Sequence, residues 1–349
     1  MLIKTLTDFL VQADTRYQIY DLGRRIRPID NQTFSQIEQN QCPYPWPLQQ
    51  HAWLAVLFWN PQLSNEHYIW FLKFPLDERG LLHPAAPSQF LESVAEILGS
   101  NLTGNLNEEQ QQRLASNPAV FKPAQEKLAL LHAMIAEKFH LPPSHWYPDV
   151  QTYLDGTPEA KPWEQLGLQG FADYVIRLRH DTPVDSLCRL LPKLDETPLY
   201  TLCQLLEQSE LPKGVFDSLY QMINRELELA EPNPQKIAML LRATTGAPQA
   251  KRRRQLIAKL LMAAPGTELL LVIAARSFED LCDNDLLELY LKTLATISEP
   301  AVLFCPLYRE LVSQPQLRLQ LLPLLHTGHT DPDIQKGLDS LLSEMRSGG

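Results

Sequence analysis

Residues Pro183 to Leu229 read PVDSLCRLLPKLDETPLYTLCQLLEQSELPKGVFDSLYQMINRELEL. Apolar side chains recur here at three- and four-residue steps: Leu199, Leu202, Leu205 and Leu206 form one stripe, and Val215, Phe216, Leu219, Ile223 and Leu227 the next. That period is the helical one, so the stretch reads as successive amphipathic helices. Each segment is opened by a proline, which suits the first helical turn because its missing N–H is an orphan there anyway.

The punctuation continues almost to the C-terminus. Prolines stand at Pro183, Pro198, Pro212, Pro234, Pro248, Pro265, Pro300, Pro315 and Pro332, and several follow a residue able to cap a helix: Thr182, Thr197, Asn233 and Asp331. The long gap between Pro265 and Pro300 is divided by Asp283-Asn-Asp285, a cap of another kind. With about 16 residues per helix, two helices make a repeat of roughly 33, within the range of helical solenoids. Further stripes follow: Leu256, Ile257, Leu260 and Leu261; Leu287, Tyr290, Leu294 and Ile297; then Ile334, Leu338, Leu341 and Leu342. None can bury itself alone, and stacking neighbours along an array solves that problem. Pro306 and Pro323 fall inside expected helices and are expected to kink or split them.

The first half has another texture. Thr5 to Val11 predicts a short helix capped by Thr5 or Thr7; Tyr17 to Ile29 predicts a strand pair or bent strand interrupted at Gly23; Asn31 to Gln39 predicts one or two helical turns. Ala52 to Trp59 is a continuous apolar run of strand length, and Tyr68 to Phe74 is aromatic-rich. Turn chemistry at Asn60 to Asn65 joins them into an antiparallel hairpin. Cys42-Pro-Tyr-Pro-Trp-Pro47 excludes helix, since each proline holds its predecessor extended. A helix over Pro87 to Leu98, with Ser88 as N-cap and Gly99 as stop, is expected to cover the hairpin. Polar residues Ser100 to Gln112 read as a connection, Pro123 to Phe139 as a second helix stopped by Pro142-Pro143, Ser144 to Leu154 as a third, and Gly156 to Pro162 as a linker. The expected organisation is a small α+β domain over 1–112, a helical connection over 113–160 and an all-α, HEAT-like repeat domain over 161–346.

Composition narrows the function. With 44% hydrophobic and 21% charged residues the chain is that of a folded globular protein. No apolar run reaches the roughly 18 residues that span a bilayer, and the N-terminus, with Asp8 and no basic region, does not read as a secretory signal. The cytoplasm is the expected compartment. A net charge of −10 argues against broad nucleic-acid binding, which rests on clustered cations. Five cysteines (Cys42, Cys188, Cys203, Cys282 and Cys305) are widely spaced with no CxxC pair. The last four lie in apolar helical contexts, where a reduced thiol behaves as a small hydrophobe.

Asp21-Leu-Gly-Arg-Arg-Ile26, Pro43-Tyr-Pro45, Trp70-Phe-Leu-Lys-Phe-Pro-Leu-Asp77 with Gly80-Leu-Leu82, Phe121-Lys-Pro123 and Leu166-Gly-Leu-Gln-Gly170 together resemble an uncharacterised family of cytoplasmic proteins from gamma-class proteobacteria, classed as a domain of unknown function. The resemblance spans nearly the whole chain and is most specific in the first half. It implies a bacterial cytoplasmic protein with one family-wide architecture, and it brings no catalytic residues.

Lys251-Arg-Arg-Arg254 is the sharpest charge feature. At a helix start cations oppose the macrodipole, so the run reads as a contact for an acidic partner or phosphate, against the alternative of a solvated helix edge. Replacing Arg252, Arg253 and Arg254 by Glu is accordingly expected to leave stability unchanged or slightly raised. Arg24, Arg25 and Arg27 form a second basic island; on a strand Arg25 and Arg27 would share a face, and pairing with acids such as Asp21 is the alternative use. His326 and His329 lack a third ligand of a zinc pattern, and His140, Ser144, His145 and Asp149 sit too close in sequence for a triad without a strained elbow. No cofactor, metal or catalytic motif is present, and Tyr44, Trp46, Trp53, Trp59, Trp70 and Phe71 read as sheet-domain core rather than a ligand pocket. The expected function is therefore a non-enzymatic scaffold or adaptor presenting its repeat surface to a protein partner. An RNA-associated factor using the basic islands, or an enzyme with a site between the domains, are the rival readings.

Overall fold

A computed structural model of the chain describes residues 5–62, 66–98, 108–178, 184–263, 266–297 and 302–347. It is mostly helical, with a small antiparallel sheet in the N-terminal part. Two compact units emerge: Met1–Pro123 together with Val312–Leu319, and Ala124–Leu311 together with Gln320–Gly349.

In the first unit the strands are β1 (Arg16–Asp21), β2 (Arg27–Ile29), β3 (His51–Trp59) and β4 (His67–Pro75), in the order β2-β1-β3-β4. All neighbours are antiparallel, with Tyr20 opposite Pro28 and Ala55, and Val56 opposite Trp70. One face carries Ile19, Leu54, Val56, Phe58, Leu72 and Phe74 into a core shared with helices α1 (Leu6–Gln12), α2 (Asn31–Glu38) and α3 (Ala85–Leu98). Phe90 of α3 sets its ring edge-on to Trp70 and Phe74, which is how α3 covers the sheet. Ala55 and Leu57, pointing the other way, are also fully buried, as the unbroken apolar run of β3 predicts.

Helix ends show where side-chain chemistry acted. Thr5 caps α1 through the Asp8 amide. The carboxylate of Glu38, at the end of α2, accepts from the Leu6 and Thr7 amides at 2.6 and 3.2 Å. Two orphan donors of α1 are thereby satisfied from another helix. Helix α3 starts at Ala85, so Ser88 lies inside it and donates to the Pro84 carbonyl instead of capping. Gly99 and residues 100–107 of the expected connection lie outside the described residues; its end enters helix α4 (Glu108–Ala115).

The proline-rich stretch has a distant partner within the same unit. Prolines keep this stretch out of helix and ladder, so its carbonyls take donors from side chains or water. Gln314 and Gln316 donate to the carbonyls of Pro47 and Pro45 at 3.0 and 3.2 Å, and Arg318 donates to the Arg79 carbonyl at 3.0 Å. Gln314 and Leu317 are fully buried.

The second unit opens with α5 (Gln125–Lys138), α6 (Tyr147–Leu154), α7 (Leu168–Arg177) and α8 (Val184–Leu190), followed by α9 (Glu196–Leu206), α10 (Lys213–Leu227), α11 (Pro234–Ala243) and α12 (Ala250–Ala263). Then come α13 (Thr267–Arg276), α14 (Asn284–Ile297), α15 (Phe304–Ser313), α16 (Pro315–Leu321), α17 (Leu324–Thr327) and α18 (Pro332–Ser347), of which the end of α15 and most of α16 fall in the Val312–Leu319 segment of the first unit. Helices α5, α7, α9, α11 and α13 pack in one row, each on the helix two places along, and α6, α8 and α10 do the same; α14 packs on both α12 and α18. Side-chain pairs recur at an offset of 35 residues: Glu207 with Arg242, Asp217 with Arg252, Asn224 with Lys259, and Arg309 with Glu344. Helix α5 packs on α7 across the Gly156 to Pro162 linker.

Most stripe residues are buried, Leu202, Leu205, Val215, Ile223, Leu256, Leu260, Leu294 and Leu338 completely. Each such side chain contributes about 1.5–3 kcal/mol over exposure. Leu227, Ile297 and Leu342 are only half-buried at the stripe margins. Asn233 caps α11 through the Lys236 amide, Asp331 accepts from the Asp333 and Ile334 amides at the start of α18, and Asp283 accepts from the Leu286 amide at the start of α14. Thr197 is already helical, the N-cap of α9 being Asp195. Thr182 and Pro183, Pro265 and Pro300 lie outside the described residues. Pro306 sits in the first turn of α15, where it is harmless, whereas Pro323 separates α16 from α17.

Leu166-Gly-Leu-Gln-Gly170 acquires a packing reason. A Cβ added at Gly167 would lie 2.7 Å from the Trp146 ring, and one at Gly170 would lie 2.8 Å from the Trp146 Cβ and backbone oxygen. The two glycines let the start of α7 approach Trp146. Gly170→Ala is expected to destabilise the protein by about 1–3 kcal/mol, the usual cost of overpacking, as measured by urea denaturation. A stability equal to that of the parent chain would show that the contact can relax.

Candidate functional site

The basic run occupies the first turns of α12, and each of its arginines meets an aspartate from elsewhere in the second unit. Arg252 pairs with Asp217 of α10 and lies over the rings of Phe216 and Tyr220, 5.2 and 5.1 Å from their centroids. Arg253 is 7% exposed; its Nε and Nη2 hold Asp280 at 2.7 and 3.0 Å while Nη1 donates to the Ala247 carbonyl. Arg254 stands 3.7 Å from Asp283. Lys251 is exposed, and Arg252 and Arg254 are half-exposed.

This corrects the expectation for the triple glutamate variant. The macrodipole disfavours these cations by about 0.3–1 kcal/mol each, but the Arg253–Asp280 pair is buried, and losing one partner of such a pair costs far more. A glutamate at 253 would face Asp280 as a second buried carboxylate. Helix electrostatics are legible in the sequence; the aspartate 27 residues away that outweighs them is not.

The second basic island lies at the β1–β2 connection of the first unit. Residues Leu22 to Ile26 leave the sheet, so Arg24 and Arg25 are not strand residues and Arg25 does not share a strand face with Arg27; only Arg27 belongs to a strand. Arg24 is buried at 3% exposure. Arg27 places its guanidinium 5.0 Å from the Trp46 ring centroid. Beside them Asp21, fully buried, accepts from the Tyr44 hydroxyl and, at 3.2 Å, from the Gly23 amide. Burial first, and then the Asp21 charge, push the Tyr44 phenol well above its ordinary pKa, so it remains a donor. The Tyr44 amide in turn donates to the Gly80 carbonyl at 2.8 Å. Three separate sequence motifs, around Asp21, Tyr44 and Gly80, thus converge in one buried polar cluster.

The remaining candidates do not assemble. The Ser144 amide donates to Asp173, the His145 ring lies tilted against Trp146, and Asp149 pairs with Lys161 at 2.7 Å. His329 accepts the Asp331 amide on its Nδ1. Cys203 and Cys305 are buried and Cys188 half-buried, but Cys282, the last residue of a short 3₁₀ turn, is exposed. Among the aromatics Tyr44 is fully buried and Trp70 packs on the core, while Trp53 and Phe71 hold Phe121 between them.

One cluster was not signalled by any motif. Glu207, 1% exposed at the end of α9, is bound through both oxygens by the Nε and Nη2 edge of Arg242 on α11, with Arg276 of α13 at 3.6 Å. The signal available in the sequence was spacing alone: Glu207 and Arg242 are 35 residues apart, the separation that also relates Asp217 to Arg252 and Asn224 to Lys259.

Among curated proteins and among solved structures nothing matches the chain. Over residues 1–342 its sequence matches the family described as "Protein of unknown function (DUF3549)", and the chain belongs to that family.

Proposed function

We propose that this chain is a non-enzymatic scaffold or adaptor, its second unit a HEAT-like helical array that holds a protein partner. The observation that carries this reading is the 35-residue offset at which helices two places apart pair their side chains. Arrays of that kind present extended surfaces, and association with partners follows by analogy with the architecture. The contact residues in this reading are Lys251, Arg252 and Arg254, whose side chains reach solvent on α12, with the buried Arg253 as their support. Arg25 and Arg27 form a separate candidate contact on the first unit, anchored by the buried Arg24. The setting we propose is the bacterial cytoplasm. Five free cysteines are compatible with a reducing compartment, and no helix among the described residues is long and apolar enough to cross a membrane.

The test is affinity capture with the full chain and with Lys251→Glu/Arg254→Glu, which spares the buried pair. The expected result is a protein captured by the parent and lost by the variant at unchanged stability, since like-charge juxtaposition at an interface costs several kcal/mol. Equal capture by both would remove α12 from the contact. Capture that is abolished by nuclease and falls steeply with salt would replace the protein partner by RNA.

A further inference from the structure

Two adjoining hollows of about 210 and 290 Å³ lie where the end of α10 meets the starts of α9 and α11, all within the second unit. They share Glu226, Leu229 and Lys236. The first hollow adds Pro192, Met222 and Arg225, and the second adds Leu194, Leu199, Glu196 and Tyr200. Together they make one groove with apolar side chains in both lobes and a different charge in each. The shared residues fix its wall. Glu226, 5% exposed, accepts from the Asn233 amide at 3.0 Å and from Lys236 Nζ at 2.7 Å. Burial by itself would raise the Glu226 pKa, but the Lys236 ammonium and the Asn233 amide outweigh it and hold the carboxyl below its ordinary value. The Glu226–Lys236 pair is therefore ionised, and its charges are spent on each other.

Three features remain for a visitor. Leu229 is 54% exposed; a single exposed leucine is ordinary, but this one lines both hollows. Arg225, in the first lobe, is exposed and has no ion pair or side-chain hydrogen bond among the described residues, so its planar fork of N–H donors is open to a carboxylate. In the second lobe Glu196 is exposed, has no ion pair among the described residues, and lies beside the Tyr200 hydroxyl, whose oxygen is shielded from water. Burial first, and then Glu196, push the Tyr200 phenol above its ordinary pKa, so it stays a donor. A cation in one lobe, an apolar side chain shared by both and a carboxylate in the other suit a chain that presents successive side chains of matching kind.

We propose that this groove binds a short extended peptide segment of a partner, with an apolar side chain on Leu229 flanked by an acidic residue paired with Arg225 and a basic residue paired with Glu196. This rests on the adaptor reading and gives the partner a recognition chemistry at a surface other than α12. The apolar anchor supplies buried area, and opposite charges at the two ends fix the register and direction of the segment. A merely solvated helix edge predicts no sequence preference, and that difference is measurable.

The experiment is selection of a displayed library of random peptides on the immobilised full chain, repeated on Arg225→Glu and on Leu229→Ser, followed by fluorescence anisotropy of the peptide enriched on the parent. Both substitutions fall on exposed side chains, and thermal melting is expected to show parent stability for each. Enriched sequences are expected to share an apolar residue flanked by an acidic and a basic one. Arg225→Glu is expected to weaken the parent peptide about tenfold or more and to select a basic residue where the parent selects an acidic one. Leu229→Ser is expected to weaken it about tenfold, the worth of the apolar area lost. No enrichment over a blank surface, or an affinity that neither substitution changes, would overturn the assignment. A dimer of the chain that Leu229→Ser disperses in sedimentation would also overturn it, giving the groove to a second copy. Failed selection beside intact capture through α12 would strike the groove and leave the adaptor reading standing, whereas failure of both would remove the adaptor reading itself.

Discussion

Arg253→Ala is expected to destabilise the second unit by about 3–5 kcal/mol, the cost of leaving one charge of a buried pair without its partner. Asp280, 2% exposed, would lose both guanidinium hydrogen bonds, and the Ala247 carbonyl would lose its donor as well. Asp280→Ala is expected to cost a similar amount for the reciprocal reason. Lys251→Ala and Arg254→Ala, next door on the same helix, are expected to change stability by no more than about 1 kcal/mol, because exposed pairs are screened by water. Urea denaturation of the four variants, followed by helical circular dichroism, checks the contrast. If Arg253→Ala proves no more harmful than Arg254→Ala, the buried pair is not what orders the start of α12. The double replacement Arg253→Met/Asp280→Leu is expected to recover much of the loss, since well-packed apolar side chains can stand in for a buried ion pair.

Leu317→Ala is expected to cost about 2–5 kcal/mol, in the range of buried leucine truncations. Its distinguishing effect is its location: it should loosen the first unit, although 242 or more residues separate it from Pro75 at the end of β4 and from everything earlier in that unit's sheet. Leu317 is fully buried and belongs, with Gln314 and Arg318, to the Val312–Leu319 segment of the first unit. Gln314 reaches Pro47 over a sequence separation of 267 residues and Arg318 reaches Arg79 over 239. Hydrogen exchange of the Tyr44, Gly80 and Leu81 amides should therefore accelerate in the variant. A fragment of residues 1–123, which lacks the segment entirely, should be less protected at the same amides than the full chain. Equal protection in fragment and full chain would mean that the glutamines decorate a unit already complete without them.

Periodicity and punctuation were legible because they are local. The leucine steps between Leu199 and Leu206 mark one face of one helix, and Asn233 and Asp331 cap helices from positions adjacent to them in the chain. Beta-branched and aromatic density in His51–Trp59 and His67–Pro75 specifies a strand pair for the same reason, since alternate residues must fit a pleated surface. Where a local cue misled, a neighbour decided: Ser88 has the chemistry of a cap, but α3 begins one turn earlier at Ala85.

From the sequence alone came the mostly helical second half, the β3–β4 hairpin and the resemblance, over nearly the whole chain, to a family of unknown function. Tertiary structure alone decided which charges are spent inside the protein and which remain at its surface. Lys251, Arg252, Arg253 and Arg254 are four cations of one run, yet Asp280 draws only Arg253 into the interior. Likewise, nothing near Pro45 or Pro47 announces that Gln316 and Gln314 will donate to their carbonyls. The physical reason is common to both. Helical and strand periods arise from backbone geometry within a few residues, whereas the worth of a charge or an amide depends on the water removed from it and the partner brought to it, and both are set by folding.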